Sequence, residues 1–414
     1  MVSKLLLSAF LVTAAPSLSE VNPVTVTDTG FALTWTTAWP VAGAVSYGTD
    51  PRSLAMTASA TGPRTRFHYL SVTGLAPGVT YYYRIRMGDE QWPRPYLPPR
   101  SVTTLCPPPG RELFTFAVMN DLHAGEDIAG VFFLPVPGIP PLTPGFTWKN
   151  PVDNYWSFTL RSSISAINRA QADLCVINGD LTSWFTPDEF RIAKSYLDRL
   201  DMPYYVTRGN HDRVGDYPAD YFLETFGLES SWYSVDHKGF HFIFLDDNRL
   251  ADGWMEVPEQ ELGWLEADLA ASRDAPTFIF EHHTVGAFWA DVDKKARARL
   301  LRIFAKNPQV VGVFNGHSHR AKFTTVPGVT GGLPYIEVPS VKEYPVGYGL
   351  VRVYEGGFMY NFFMADCPDC LEWNHITRGE DLGMAPRLLN RKLTDRNMVY
   401  VFPATATRGA DDEN

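Results

Sequence analysis

Five short stretches of the chain carry side chains able to hold metal ions: Asp121-Leu122-His123, Gly179-Asp180, Gly209-Asn210-His211-Asp212, His282-His283 and Gly316-His317-Ser318-His319. Carboxylate and amide oxygens mixed with neutral imidazoles, without thiolates, suit Mn, Fe or Zn better than a soft-metal site would. Two cations held roughly 3.5–4 Å apart by one shared carboxylate can clamp the attacking and leaving oxygens of an in-line displacement, and Asp180 is the natural bridge. Water on such a pair loses its proton near neutral pH, so the nucleophile needs no protein base. The expected chemistry is hydrolysis of a phosphate ester by a metal-bound hydroxide.

Taken singly, these stretches say little. Gly-Asp is an ordinary turn dipeptide, and a histidine pair is as readily one buried and one exposed imidazole. Their force is joint. Each follows an apolar run that reads as a buried strand, at 114–119, 174–178, 204–207, 277–280 and 310–314. In open α/β sheets functional residues gather beyond the carboxyl ends of the strands, so blocks far apart in sequence converge on one crevice.

In order and content the five blocks resemble the calcineurin-like metallophosphoesterase superfamily over about residues 112–355. The resemblance implies a four-layer α/β fold, two mixed β-sheets flanked by helices, with a dinuclear site of divalent or trivalent ions (Mn, Fe or Zn) at the strand ends. Carried over residue by residue, it implies Asp121, His123, Asp180 and His319 on one metal and Asp180, Asn210, His282 and His317 on the other. It makes His211 a general acid or transition-state stabiliser, with Asp212 orienting it by accepting from its other ring nitrogen. Two positions depart from the pattern. Thr284 stands where relatives with a doubled histidine often have proline, which leaves His283 as a spare ligand ranked behind His282. The stretch Leu181-Thr182-Ser183-Trp184 lacks the tyrosinate of purple acid phosphatases, so no charge-transfer colour is expected.

The segment ahead of this block has a different rhythm. Short β-rich runs at 31–36, 44–47, 67–72 and 81–86, broken by turn residues, predict an all-β sandwich with Trp35 in its core. Leu75-Ala76-Pro77-Gly78-Val79-Thr80-Tyr81 resembles the fibronectin type III corner, in which a tyrosine hydroxyl bonds back to the backbone. The whole segment looks like the N-terminal domain of purple-acid-phosphatase-like enzymes, and a packing platform is preferred to a separate binding role. Cys106-Pro107-Pro108-Pro109-Gly110 reads as a linker, because consecutive prolines stay extended and lack ladder donors.

Residues 1–15 carry Lys4, then an apolar run ending in small residues, the layout of a secretory signal peptide too short to span a bilayer. The expected division is therefore a signal peptide at 1–15, a fibronectin type III-like domain at 16–105, a linker at 106–111, a metallophosphoesterase domain at 112–400 and an acidic tail at 401–414. The expected location is secreted or periplasmic, with no stable membrane insertion. Cys367-Pro368-Asp369-Cys370 can close a local disulfide in exported protein; Cys175 reads as a buried apolar residue and Cys106 as free.

A formal net charge of -10 and the absence of a long basic run argue against extended nucleic acid and are read as plain solubility; the expected substrate is a small-molecule phosphate ester. Oligomeric state is left open, as is the choice between diester and monoester. The proline- and glycine-rich stretch 124–155, with its aromatics, emerges beside the first ligand pair. It is expected either to shape the substrate pocket or to seal the junction with the N-terminal domain. Helices are predicted at 158–170 and 259–269. A competing reading makes the protein an extracellular recognition molecule whose metallophosphoesterase domain is structural. A decayed binder should have lost His211 or a bridging ligand, and this chain retains both.

Overall fold

The computed structural model describes residues 17–130, 145–148, 153–214, 218–248, 256–284, 294–326 and 332–403. The expected signal peptide, most of the acidic tail, and Phe132, Phe133 and Lys149 of the aromatic stretch lie outside these residues.

The apolar runs ahead of the ligand blocks form strands because every residue in them has a buried face to fill. Glu112–Met119 shows the division of labour. Phe114, Phe116 and Val118 point into one core, and Ala117 and Met119 into another, the two-residue alternation of a pleated strand. This strand lies inside a six-stranded sheet ordered Tyr204–Thr207, Leu174–Asn178, Glu112–Met119, Gly347–Tyr354, Gly357–Met364, Asn397–Val401. The first three run parallel and the last three join antiparallel. A second six-stranded sheet is ordered Tyr233–His237, Phe240–Phe244, Thr277–Phe280, Val310–Asn315, Leu333–Glu337, Lys322–Val326. Its four central strands are parallel to one another.

The two sheets meet face to face across an aromatic core. Phe116 packs edge-on against Phe242, Phe278, Phe280 and Phe314 at centroid separations of 5.1–6.1 Å. On the outer face of the first sheet lie helices Tyr155–Ala170, Pro187–Leu197 and Pro368–Thr377, contributing Ile164, Phe190 and Trp373 to its core. On the outer face of the second lie Glu259–Ala271 and Lys294–Lys306, contributing Leu262, Leu265, Leu269 and Phe304. The result is a mixed α/β fold of four layers, helix, sheet, sheet, helix.

Residues 18–103 form a separate all-β unit. A three-stranded sheet of Leu18–Val26, Gly30–Val41 and Thr65–Thr73 faces a five-stranded sheet of Met56–Ser59, Ala44–Gly48, Thr80–Met87, Glu90–Trp92 and Arg100–Thr103. Trp35 is fully buried between them and stacked on His68 at 4.6 Å. The Tyr81 hydroxyl accepts from the Ala76 backbone N–H at 3.0 Å. This unit is fastened to the four-layer unit by buried polar contacts. The Arg396 guanidinium donates to the carbonyls of Pro23 and Val24, and Asn361 and Asn397 pair with the backbone of Val24 and Val26. Backbone groups at the edge of one unit thus find their partners in side chains of the other, as buried N–H and C=O groups must.

The described aromatics of the 124–155 stretch turn inward. Trp148 packs on Phe158 and Trp373, and Trp156 on Tyr196. They fill the core beneath the outer helices of the first sheet.

Candidate metal centre

Every ligand block begins one or two residues beyond the carboxyl end of a parallel strand, and the two sheets bring those ends together. Backbone bonds fasten the blocks to one another: Asp121 N–H to Gly179 O at 3.0 Å, His123 N–H to Asp180 O at 2.9 Å, and Gly316 N–H to His282 O at 3.0 Å. Asn178 pins the sheets, its side-chain amide donating to Glu281 O at 3.1 Å and Phe314 O at 3.0 Å. Asp121, His123, Asp180, His317 and His319 all take positive φ, between 45° and 63°. Such backbone is uncommon for non-glycine residues and costs free energy, so it persists only where the surroundings over-determine it. Here it turns five side chains toward one point.

Two groups result. Asp121, His123, Asp180 and His319 can each present an atom within 4.8 Å of the others, and so can Asp180, His282 and His317. Asp180 belongs to both. Its Oδ2 lies 3.5 Å from His123 Nε2 and 3.2 Å from His282 Nε2, while Asp121 Oδ1 lies 3.4 Å from His319 Nε2. Asn210 Oδ1 joins the second group, at 3.2 Å from His282 Nε2 and 2.8 Å from His317 Nδ1. His283 belongs to neither group, although its ring lies 4.6 Å from that of His317. Its ring and backbone N–H are bonded to the Asp247 carboxylate, at 3.2 and 2.8 Å.

The donor set fits a pair of cations. His123 is 3% exposed and neither ring nitrogen has a hydrogen-bond partner; a coordinating ion would satisfy one of the two. The electrostatics point the same way. Burial would lower the His282 pKa, but the Asp180 and Asp121 carboxylates overcome it and raise the imidazole to about 10. Burial likewise opposes the charged form of His319, and Asp121 and Glu343 raise it well above the ordinary value. His123 moves down, through burial and then the nearby Lys342 ammonium. The buried carboxylates Asp121, Asp180 and Glu343 thus favour positive charge at this point, which divalent ions would supply.

His211 sits beside the first group, its ring 4.6 Å from that of His123 and its backbone N–H bonded to Asp180 Oδ1 at 2.8 Å. Its Nδ1 lies 2.8 Å from the Ser183 carbonyl oxygen. Asp212 does not orient this ring, contrary to the expectation from sequence. Residues 210–212 form one 3-10 turn, and the Asp212 carboxylate faces the other way, accepting from the N–H groups of Gly209, Leu181 and Thr182 and from the Thr182 hydroxyl at 2.8–3.0 Å. It ties two ligand loops together, while a carbonyl sets the imidazole.

Arg208 and Arg320 are ion-paired rather than free cations. Arg208 is buried between Asp220 and Asp246, and Arg320 is paired with Glu337. Asn178, Asp247, Lys342 and Glu343 escaped the reading of the sequence. For Asn178 a signal existed, an amide ending the apolar run Leu174-Cys175-Val176-Ile177; for the others only proximity in space reveals the role.

A family model described as calcineurin-like phosphoesterase matches residues 114–321. A glycerophosphodiester phosphodiesterase of Enterobacter lignolyticus is 27% identical over 197 residues, covering 42% of this chain and 68% of that one. A probable glycerophosphodiester phosphodiesterase of Arcobacter nitrofigilis is 29% identical over 163 residues, covering 38% and 60%. A 3',5'-cyclic-nucleotide phosphodiesterase of Nostoc is 28% identical over 156 residues, covering 37% and 58%. The chain thus spans about three fifths to two thirds of the length of these relatives. The solved structure of a dimetal phosphatase from Danio rerio superposes with a TM-score of 0.53 at 14% identity, over 71% of this chain and all of that one, a likeness of fold. With all five ligand blocks inside a family match that takes in half of its residues, the chain belongs to the calcineurin-like phosphoesterase family.

Proposed function

We propose that the protein is a two-metal hydrolase of small phosphodiesters. The observation that carries this reading is the position of Asp180, one buried carboxylate common to both ligand groups. Asp121, His123 and His319 would hold one cation and Asn210, His282 and His317 a second, with Asp180 common to both. Such a pair would supply Lewis-acid charge for the phosphoryl oxygens and lower the pKa of water. With Nδ1–H donated to Ser183 O, His211 carries a transferable proton on Nε2 only as imidazolium, the form required of a general acid toward the leaving oxygen. The diester preference follows the names of the relatives; the ion-paired state of Arg208 and Arg320 offers no free cation to grip the extra charge of a monoester.

The N-terminal unit is read as a fibronectin type III-like domain over 16–105, acting as a docked platform, with 106–111 as linker and 112–400 as catalytic domain. Its support is the two-sheet arrangement and the Tyr81 hydroxyl bond to Ala76. Residues 1–15 are read as an export signal, in keeping with the Cys367–Cys370 disulfide. The direct test of activity compares bis(p-nitrophenyl) phosphate with p-nitrophenyl phosphate, before and after chelation and Mn2+ reconstitution. Diester hydrolysis lost to chelator and restored by metal supports the reading. Failure to hydrolyse either ester with two ions bound would favour the recognition-protein alternative.

A further inference from the structure

His319 and His282 face the two metal positions in different ways. The His282 Nδ1 donates to a neutral acceptor, the Asn178 carbonyl, at 2.9 Å. The His319 Nδ1 instead donates to a buried carboxylate, Glu343 Oε1, leaving Nε2 as the nitrogen turned to Asp121. The turn that carries Glu343 is held rigidly. Ser340 Oγ donates to Asp121 O at 3.0 Å, Val341 N–H to Asn120 O at 3.1 Å, and Trp373 Nε1 to Lys342 O at 2.7 Å. Lys342 is itself buried, with Nζ 3.7 Å from Glu343 Oε2 and 2.5 Å from Glu126 Oε2, an oxygen that also accepts from the Tyr155 hydroxyl. A chain of charges runs from Glu126, just after the first ligand pair, through Lys342 and Glu343 to the last ligand.

From this geometry, and resting on the two-metal reading above, we propose that Glu343 is a positioning residue. It fixes the tautomer and aim of His319 and raises the ligand strength of its Nε2, so that it sets the affinity of the first metal position selectively. Lys342 holds the carboxylate in place. A carboxylate on the far nitrogen makes an imidazole a stronger ligand than a carbonyl does, and loss of such a partner typically costs about 10- to 100-fold in metal affinity. The second position, whose His282 leans on a backbone carbonyl and whose His317 Nδ1 lies against Asn210 rather than Glu343's turn, should be indifferent to Glu343.

The test is calorimetric titration of the metal-free full-length protein with Mn2+, for wild type, Glu343→Gln and Glu343→Asp, with the visible spectrum of the Co2+ form as a second readout. Wild type should bind two ions. Glu343→Gln should weaken one binding constant about 10- to 100-fold and leave the other unchanged. The Co2+ bands of one site alone should move, and Glu343→Asp should fall between. Excess Mn2+ should return diesterase activity to the Gln variant. Unchanged affinities in both variants, or an equal fall at both positions with a lowered melting temperature, would overturn the inference while leaving the two-metal reading intact. A wild-type protein that binds no ions would overturn that reading first, and this inference with it.

Discussion

At the scale of single residues, His211 and Asp212 show how neighbours in sequence acquire unrelated duties. One faces the metal groups with its Nδ1 on the Ser183 carbonyl; the other collects four donors from two loops. Removing the imidazole should leave both ions bound and slow the reaction according to the leaving group. His211→Ala is expected to lose about 100- to 10,000-fold on alkyl esters, whose departing oxygen must be protonated, and much less on nitrophenyl esters. Equal losses on both would mean that His211 stabilises phosphoryl charge and donates no proton. Asp212→Ala should behave differently, since it leaves buried N–H groups without acceptors at about 1–3 kcal/mol each. Its mark is a lower urea midpoint, without the leaving-group pattern. A variant that kept its stability and copied the His211 profile would restore the orienting role that the sequence had suggested.

At the scale of elements, what the strands deliver depends on the loops that follow them, and two glycines admit the close approach. A Cβ on Gly209 would stand 2.1 Å from the Asp180 backbone nitrogen, and one on Gly179, at φ +89°, 2.3 Å from His282 Nδ1. Gly209→Ala must therefore push the shared carboxylate out of place. It should lower metal content and diesterase activity together while the far-ultraviolet circular dichroism stays that of the wild type; full activity would show that the loop yields at no cost to Asp180. These strands and loops were legible in the sequence because each unites a continuous apolar run with residues of distinctive chemistry. The strands Gly347–Tyr354, Gly357–Met364 and Asn397–Val401 were not, although they complete the same sheet. They carry no ligand, and glycines, an arginine and asparagines interrupt their apolar pattern. Glu343 was hidden for another reason: its partner His319 lies 24 residues earlier, and only the packed turn at 340–343 brings the two together.

At the scale of the whole molecule, the N-terminal unit shares buried hydrogen bonds with the catalytic layers, so its stability bears on theirs. His68, stacked on Trp35, is the group to watch. Burial holds its pKa down to about 4 from the ordinary 6.5. A depressed histidine favours the neutral fold: its contribution is complete above about pH 6.5 and is lost as pH falls toward 4, amounting to about 2–3 kcal/mol by pH 4.5. Urea unfolding at pH 7.5 and 4.5 should show wild type losing that much more than His68→Phe; parallel losses would contradict the assignment. The β-rich character of the N-terminal segment was legible from its change of rhythm, whereas its docking was not, because Arg396, Asn361 and Asn397 find their acceptors more than 300 residues away. Asp180 serving two ions at once is the centre of the proposed chemistry. Elemental analysis of reconstituted wild type and Asp180→Ala tests this most directly: two ions per chain are expected in the first and close to none in the second, because both positions lose a charged ligand together. Two tightly held ions in the variant would contradict the shared site.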